Sequence, residues 1–189
     1  YRMNEQTGAI GQVNIGAMGS EQVFFLKNDS KGRMWLGGEK SLGVFTGPSL
    51  ELQVFQSEDY NGTVVNSTVN CIFEDSRHRI WIGTRGGLNL FNEDGSFRLY
   101  SKENGLPGNM VQGILEDSFG RLWISTNEGL SNFTPETGVF RNYSEADGLE
   151  FRQFNMYSFC QTRSGLMYFG GINGITRFYP ELLIDNPHA

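Results

Sequence analysis

Adjacent carboxylates are the residues of this 189-residue chain best suited by type to do chemistry: Glu74-Asp75 and Glu116-Asp117. Two carboxyls converging on one glycosidic bond suffice to hydrolyse it, one protonating the leaving oxygen and the other acting as base or nucleophile. Both pairs, however, stand at the same place in two similar stretches, FEDSRHRIWIGT and LEDSFGRLWIST. Catalysis needs one constellation, so the same acids in equivalent places point to structure. Other chemistries lack their reagents. His78 and His188 are the two imidazoles, one in a turn sequence and one penultimate, too few and too far apart for a metal cluster. Cys71 and Cys160 lie 89 residues apart without a Cys-x-x-Cys motif and read as two small buried hydrophobes. Phosphate-loop, dinucleotide and nucleophile-elbow patterns are absent; Gly105-Leu106-Pro107-Gly108 is a spacer, and the Gly-rich run from Gly170 to Gly174 joins two strands. No catalytic residue, cofactor or metal is expected.

The elements that carry these groups are set by an internal repeat. Four stretches align on a central aromatic: KNDSKGRMWLGG at Trp35, FEDSRHRIWIGT at Trp81, LEDSFGRLWIST at Trp123 and CQTRSGLMYFGG at Tyr168. The anchors are 46, 42 and 45 residues apart. A Phe stands ten residues after each (Phe45, Phe91, Phe133, Phe178) and an aliphatic seven after (Leu42, Leu88, Leu130, Ile175). An apolar residue stands nine before each (Leu26, Ile72, Ile114, Phe159). In the third copy, 110–116, 121–125, 130–133 and 139–143 read as strands a, b, c and d, separated by turn-rich Asp, Asn, Pro and Gly. No segment sustains a helical period. A Gly fills the a–b turn at Gly32, Gly120 and Gly165, whereas the second copy has His78 there, which implies a strained left-handed residue or a different turn.

A period of 40–50 residues with four strands per copy predicts an all-β propeller of four-stranded antiparallel blades. The aromatic anchors are its inter-blade wedges, because one sheet cannot bury its own faces. The boundaries read as 1–16 (the end of a blade), 20–56, 68–101 and 110–144 (three blades), 155–179 (a partial last blade) and 180–189 (an exit linker). Met3 falls on the Phe133 column and Gln6–Ile10 on Glu136–Phe140. The expected architecture is about four blades forming an open arc of a larger propeller of about seven, with a closed four-blade ring as the alternative. High Gly (25) and Phe (15) are then turns and wedges. A net charge of −6 excludes nucleic acid as a partner class. No run approaches the ~20 apolar residues of a membrane span, so direct membrane insertion is not expected.

In this topology the b–c turns and d–a linkers share one edge, and they vary between copies while the frame does not. That nominates Lys40, Arg85, Asn109, Asn127, Glu128, Asn155, Tyr157 and Asn173 as ligand-binding residues. Arg85 and Asn127 suit sugar hydroxyls, Arg85 also suits a carboxylate or sulfate, and Tyr157 offers a stacking face. The open edges and faces of an arc also predict self-association.

The stretch Glu116-Asp117-Ser118-Phe119-Gly120-Arg121-Leu122-Trp123-Ile124-Ser125-Thr126-Asn127-Glu128-Gly129-Leu130-Ser131-Asn132-Phe133 resembles the two-component regulator propeller repeat. Glu74 to Phe91 fits as well, and Asn104-Gly105-Leu106-Pro107-Gly108-Asn109 matches that family's inter-blade spacer. The close, Tyr168 to Pro180, resembles the last propeller copy before a small immunoglobulin-like domain. The resemblance implies the periplasmic sensor region of a Bacteroidetes-type hybrid histidine kinase, responding to oligosaccharides and controlling polysaccharide utilisation. It implies as partners an oligosaccharide, the remaining blades and the immunoglobulin-like domain, and no enzymatic activity in this portion, the parent being the kinase. The alternatives are a propeller glycoside hydrolase or lyase and a purely structural interaction propeller. A sialidase-type Asp box fails by one residue, because Asp29 and Gly32 are separated by two positions where that motif has one.

Overall fold

A computed structural model of the chain describes residues 2–3, 10–11, 13–19, 22–47, 51–55 and 68–183. The first sheet holds β3 (Val23–Asn28), β4 (Met34–Gly38), β5 (Leu42–Thr46) and β6 (Glu51–Phe55). The second holds β7 (Val69–Glu74), β8 (Ile80–Thr84), β9 (Gly87–Phe91) and β10 (Phe97–Tyr100). The third holds β11 (Val111–Glu116), β12 (Leu122–Thr126), β13 (Leu130–Thr134) and β14 (Val139–Tyr143). The fourth has three strands, β15 (Phe154–Gln161), β16 (Met167–Gly171) and β17 (Gly174–Phe178). Ahead of them β1 (Arg2–Met3) and β2 (Ile10–Gly11) pair with each other. Every pairing is antiparallel and in chain order, which is the all-β blade architecture that the repeat predicts. Met3 opposite Ile10 repeats the register of Phe133 opposite Phe140. Residues 4–9 of that alignment, and 184–189 of the exit linker, lie outside the described residues.

Strand alternation explains the columns. Within β12, Leu122 and Ile124 face one side and Trp123 the other. The Trp side points to the following sheet. Trp35 packs among Val69, Ile72, Ile80 and Ile82, Trp81 among Val111, Ile114, Leu122 and Ile124, and Trp123 among Phe154, Met167 and Phe169. The Phe column points backwards to meet it. Phe91 lies edge-on to Trp35 at 5.0 Å, Phe133 edge-on to Trp81 at 5.7 Å, and Phe178 tilted over Trp123 at 4.6 Å. Phe45, which has no described Trp before it, packs with Met18 and Leu36. Close approach is aided at Gly83, where a Cβ would meet Val111 Cγ1 at 2.6 Å.

The two outermost faces differ. On the following side of the fourth sheet Tyr168 is half-buried and Ile175 is 68 % exposed, whereas Leu42 and Leu88 in the same column are fully buried. On the preceding side of the first sheet Leu26 is 62 % exposed, whereas Ile114 in its column is fully buried. Cys71 is buried as expected, and burial pushes its thiol up to about 12. Cys160 corrects the expectation. It is exposed because it sits opposite Tyr168 and so shares that uncovered face. Among the described residues β17 pairs only with β16, and β1–β2 stand apart, so no sheet joins the ends into a four-blade ring.

Candidate functional site

Register fixes which loops share an edge. Val69 opposes Thr84 and Tyr100 opposes Leu88, so the start of strand a, the b–c turn and the end of strand d lie together on what we term the upper edge. The a–b and c–d turns share the lower edge. On the upper edge three b–c turns are pinned to their linkers: Arg85 N–H donates to Thr68 O at 3.1 Å, Asn127 N–H to Met110 O at 3.2 Å and Ile172 N–H to Gln153 O at 3.2 Å. Thr84 and Thr126 hydroxyls donate to the Gly87 and Gly129 carbonyls and accept from the Gly86 and Glu128 amides, which sets the turn. The linkers contain short 3-10 turns, Lys102–Asn104 and Glu145–Asp147, each capped by a serine (Ser101, Ser144). Leu106 and Leu149 then insert into the two following cores.

This edge holds seven of the eight nominated residues, in three conditions. Lys40, Arg85, Asn155 and Asn173 are exposed, and among the described residues their side chains make no hydrogen bond or ion pair. Asn109 and Glu128 are tied to Lys102: Asn109 Oδ1 accepts from Lys102 N–H at 2.8 Å, and Lys102 Nζ bonds Glu128 Oε2 at 2.6 Å. Asn127 turns its Oδ1 inward, solvent-shielded and without a hydrogen bond, beside Gly108, where a Cβ would meet it at 2.8 Å. Tyr157 is half-exposed but not on the rim. A wide bulge between Phe154 and Phe159 carries it at φ 59, and its ring stacks on Phe25 of the first sheet at 6.4 Å. Tyr157 thereby links the first strands of the first and fourth sheets.

The repeated acids belong to the lower edge, where they hold the frame. Asp29 Oδ1 accepts from the Lys31 and Arg33 amides, and Oδ2 from Arg33 Nε and Trp35 Nε1 at 2.9 Å. Asp75 and Asp117 do the same for Trp81 and Trp123. Burial alone would raise the Asp29 carboxyl. The Trp35 indole, then Arg33, more than offset that and hold it below its ordinary value. The preceding Glu serves a different sheet: Glu74 accepts from Ser30 N and Oγ, and Glu116 from Ser76 N and Oγ. The fourth copy departs at every linked position. Thr162 stands for Asp, Leu166 for Arg and Tyr168 for Trp, so no indole N–H needs the acid. Gln161 stands for Glu, and Ser118 instead donates to Glu181 at 2.7 Å. The inter-blade Ser–Glu bonds are hidden from sequence reading, whereas the joint substitution of Asp, Arg and Trp in one copy is a signal of the cluster within each blade. His78 keeps the common turn with φ 62, its N–H donating to Asp75 O at 2.8 Å, so it is the strained left-handed residue.

A model of the two-component regulator propeller family matches residues 58–86 and 105–128. Those two stretches are similar to two-component regulator propeller repeats. It is similar to the extracellular domain of a hybrid two-component system from Bacteroides thetaiotaomicron, with 29 % identity and a TM-score of 0.77 over 91 % of this chain and 24 % of that one. It is also similar to the extracellular domain of a one-component system from the same organism, with 26 % identity and a TM-score of 0.71 over 86 % of this chain and 24 % of that one. The chain therefore spans about a quarter of the length of those structures. Virginiamycin B lyase from Staphylococcus aureus, at 19 % identity and a TM-score of 0.61 over 86 % of this chain and 55 % of that one, shares the fold. No curated protein matches the chain. Among the described residues no helix is long and apolar enough to cross a membrane, and no group of His, Cys, Asp or Glu is placed to hold a metal.

Proposed function

We propose that these blades are part of the periplasmic ligand-sensing region of a hybrid two-component histidine kinase, and that the ligand is an oligosaccharide. The observation that carries this reading is the similarity, along 91 % of the chain, to an extracellular domain of a hybrid two-component system. The sensing portion is non-enzymatic: the acids that could hydrolyse a sugar are occupied with Trp and Ser partners in the frame. The ligand sits on the upper edge, where Lys40, Arg85, Asn155 and Asn173 leave hydrogen-bonding groups free. Binding signals by favouring one of two arrangements of blades or protomers. The uncovered outer faces receive the remaining blades of the longer protein, or a second copy when this portion stands alone, and an immunoglobulin-like domain follows.

The test is calorimetric titration of oligosaccharide pools into the full sensor region and into this chain, followed by Arg85→Ala and Asn173→Ala. Both side chains are exposed and carry no structural bond, so the variants keep the fold. Affinity lost in these variants supports the upper edge, and unchanged affinity rejects it. The blade boundaries proposed above, 20–56, 68–101, 110–144 and 155–179, are tested by limited proteolysis, with cuts expected between them.

A further inference from the structure

One feature of the lower edge is not repeated. Between the first and second sheets lies a cavity of about 340 Å³ whose polar lining includes Lys31, Arg77, His78 and Arg79 and whose apolar lining is Ile80, Leu90 and Phe91. Glu93 is the one acid in the lining. In the next groove Phe119 and Gly120 replace Arg77 and His78 while Arg121 repeats Arg79, and in the one after that Ser164, Gly165 and Leu166 stand at the three places. A repeated residue is explained by the frame. A cluster confined to one groove is not, least of all one that keeps a strained histidine where the other copies have glycine.

The cations are held loosely. Lys31 pairs with Glu93 at 2.5 Å and Arg77 with Glu136 at 2.9 Å, both largely exposed, so another anion can exchange for either carboxylate. Arg79 is fixed by Asp75, and its shielded Nη2 lies 3.3 Å from Glu136 Oε1 without a hydrogen bond. Ser30 Oγ donates to Glu74 Oε1, so the proton on His78 Nδ1 is directed to Ser30 Oγ at 2.9 Å, with Glu74 3.4 Å away. The imidazole is thereby oriented, with Nε2 unpartnered.

We propose that this groove is a binding site for a small organic oxyanion, a carboxylate or sulfate, whose charge meets Arg77 and Lys31 while its apolar body lies on Leu90 and Phe91. Arg77 supplies the planar fork that matches such groups and Lys31 a point charge, while His78 Nε2, an acceptor with the proton on Nδ1, suits a hydroxyl of the same ligand. The site is separate from the upper edge, so it stands or falls independently of oligosaccharide binding there.

Calorimetry with glucuronate, glucose 6-sulfate and glucose tests it and tells carboxylate from sulfate. The expected result is binding of one or both anions at about millimolar affinity or tighter, weakened about tenfold by Arg77→Gln or Lys31→Gln and unaffected by Arg85→Ala. His78→Gly, which restores the residue found in the other copies, keeps the fold and weakens binding too. A shift of the His78 ring resonances in the NMR spectrum on adding the bound anion locates it. Equal binding of glucose, no loss in the Arg77 and Lys31 variants, or no binding of either anion overturns the proposal.

Discussion

The face that Trp81 turns to the third sheet and the face that Tyr168 turns outward are built from the same columns, yet only one is a core. Behind Trp81 stand Leu88 and Tyr100, all buried under Phe133 and the apolar first strand of the next sheet. Beside Tyr168 stand Ile175 and Cys160, exposed. The first sheet shows a partial mirror case: Leu26 is exposed where Ile72 and Ile114 are buried, while Leu36 and Phe45 on the same face are buried with Met18. The difference teaches that the repeat encodes two half-interfaces per blade, a Trp side and a Phe side. Burial comes only when a neighbour supplies the other half. Stability is then approximately a sum over neighbouring pairs, with nothing to gain at an uncovered face.

Truncating the wedges breaks this comparison most directly. Trp35→Ala, Trp81→Ala and Trp123→Ala are each expected to cost about 3–5 kcal/mol, and Tyr168→Ala less than about 1 kcal/mol, read from urea midpoints. Equal losses in Trp81→Ala and Tyr168→Ala would mean that the fourth sheet's outer face is covered. The aliphatic column gives a second contrast: Leu88→Ala is expected to cost about 2–5 kcal/mol and Ile175→Ala no more than about 0.5 kcal/mol. Next come the acids that hold the wedges. Asp117→Ala leaves Trp123 Nε1 and Arg121 unpaired at an expected cost of about 1–3 kcal/mol, against less than about 1 kcal/mol for Thr162→Ala in the copy without an indole. Smallest is an effect of pH. The folded Asp29 carboxyl is more acidic than its unfolded value of about 3.9, so its contribution is complete above that pH and is lost as pH falls through the lower folded value. Chemical denaturation at stepped pH is expected to show a shallower acid loss in Asp29→Asn than in the parent sequence.

The blade itself was legible in the sequence because its determinants are local: alternation gives the strands, Gly and Asp give the turns, and four aligned columns give the wedges. The turn at His78 was legible too, since a left-handed residue at a glycine position leaves one rival, a different turn. What stayed hidden joins distant parts of the chain. Ser30 to Glu74 and Ser76 to Glu116 cross from one blade to the next, and no spacing rule marks their direction. Tyr157 was nominated as a rim residue. A bulge of strand a, which a strand pattern does not reveal, carries it to the first sheet instead. Asn109 and Asn127 are nominated from their places on the linker and the b–c turn; Asn109 is instead tied to the Lys102 N–H, and Asn127 turns its Oδ1 inward without a hydrogen-bond partner. Cys160 reads as buried from its residue type and the lack of a Cys-x-x-Cys motif, and its place opposite Tyr168 on an uncovered face exposes it.

The two cysteines also provide the sharpest single test, since each reports one kind of face. Native-state thiol labelling at low protein concentration, followed by mass spectrometry of the peptides, measures both at once. The account requires rapid modification of Cys160 on the uncovered face, and of Cys71 only on unfolding, because it lies between the second and third sheets. Protection of both thiols, or equal reaction of both, would contradict the division into covered and uncovered blade faces on which the account rests.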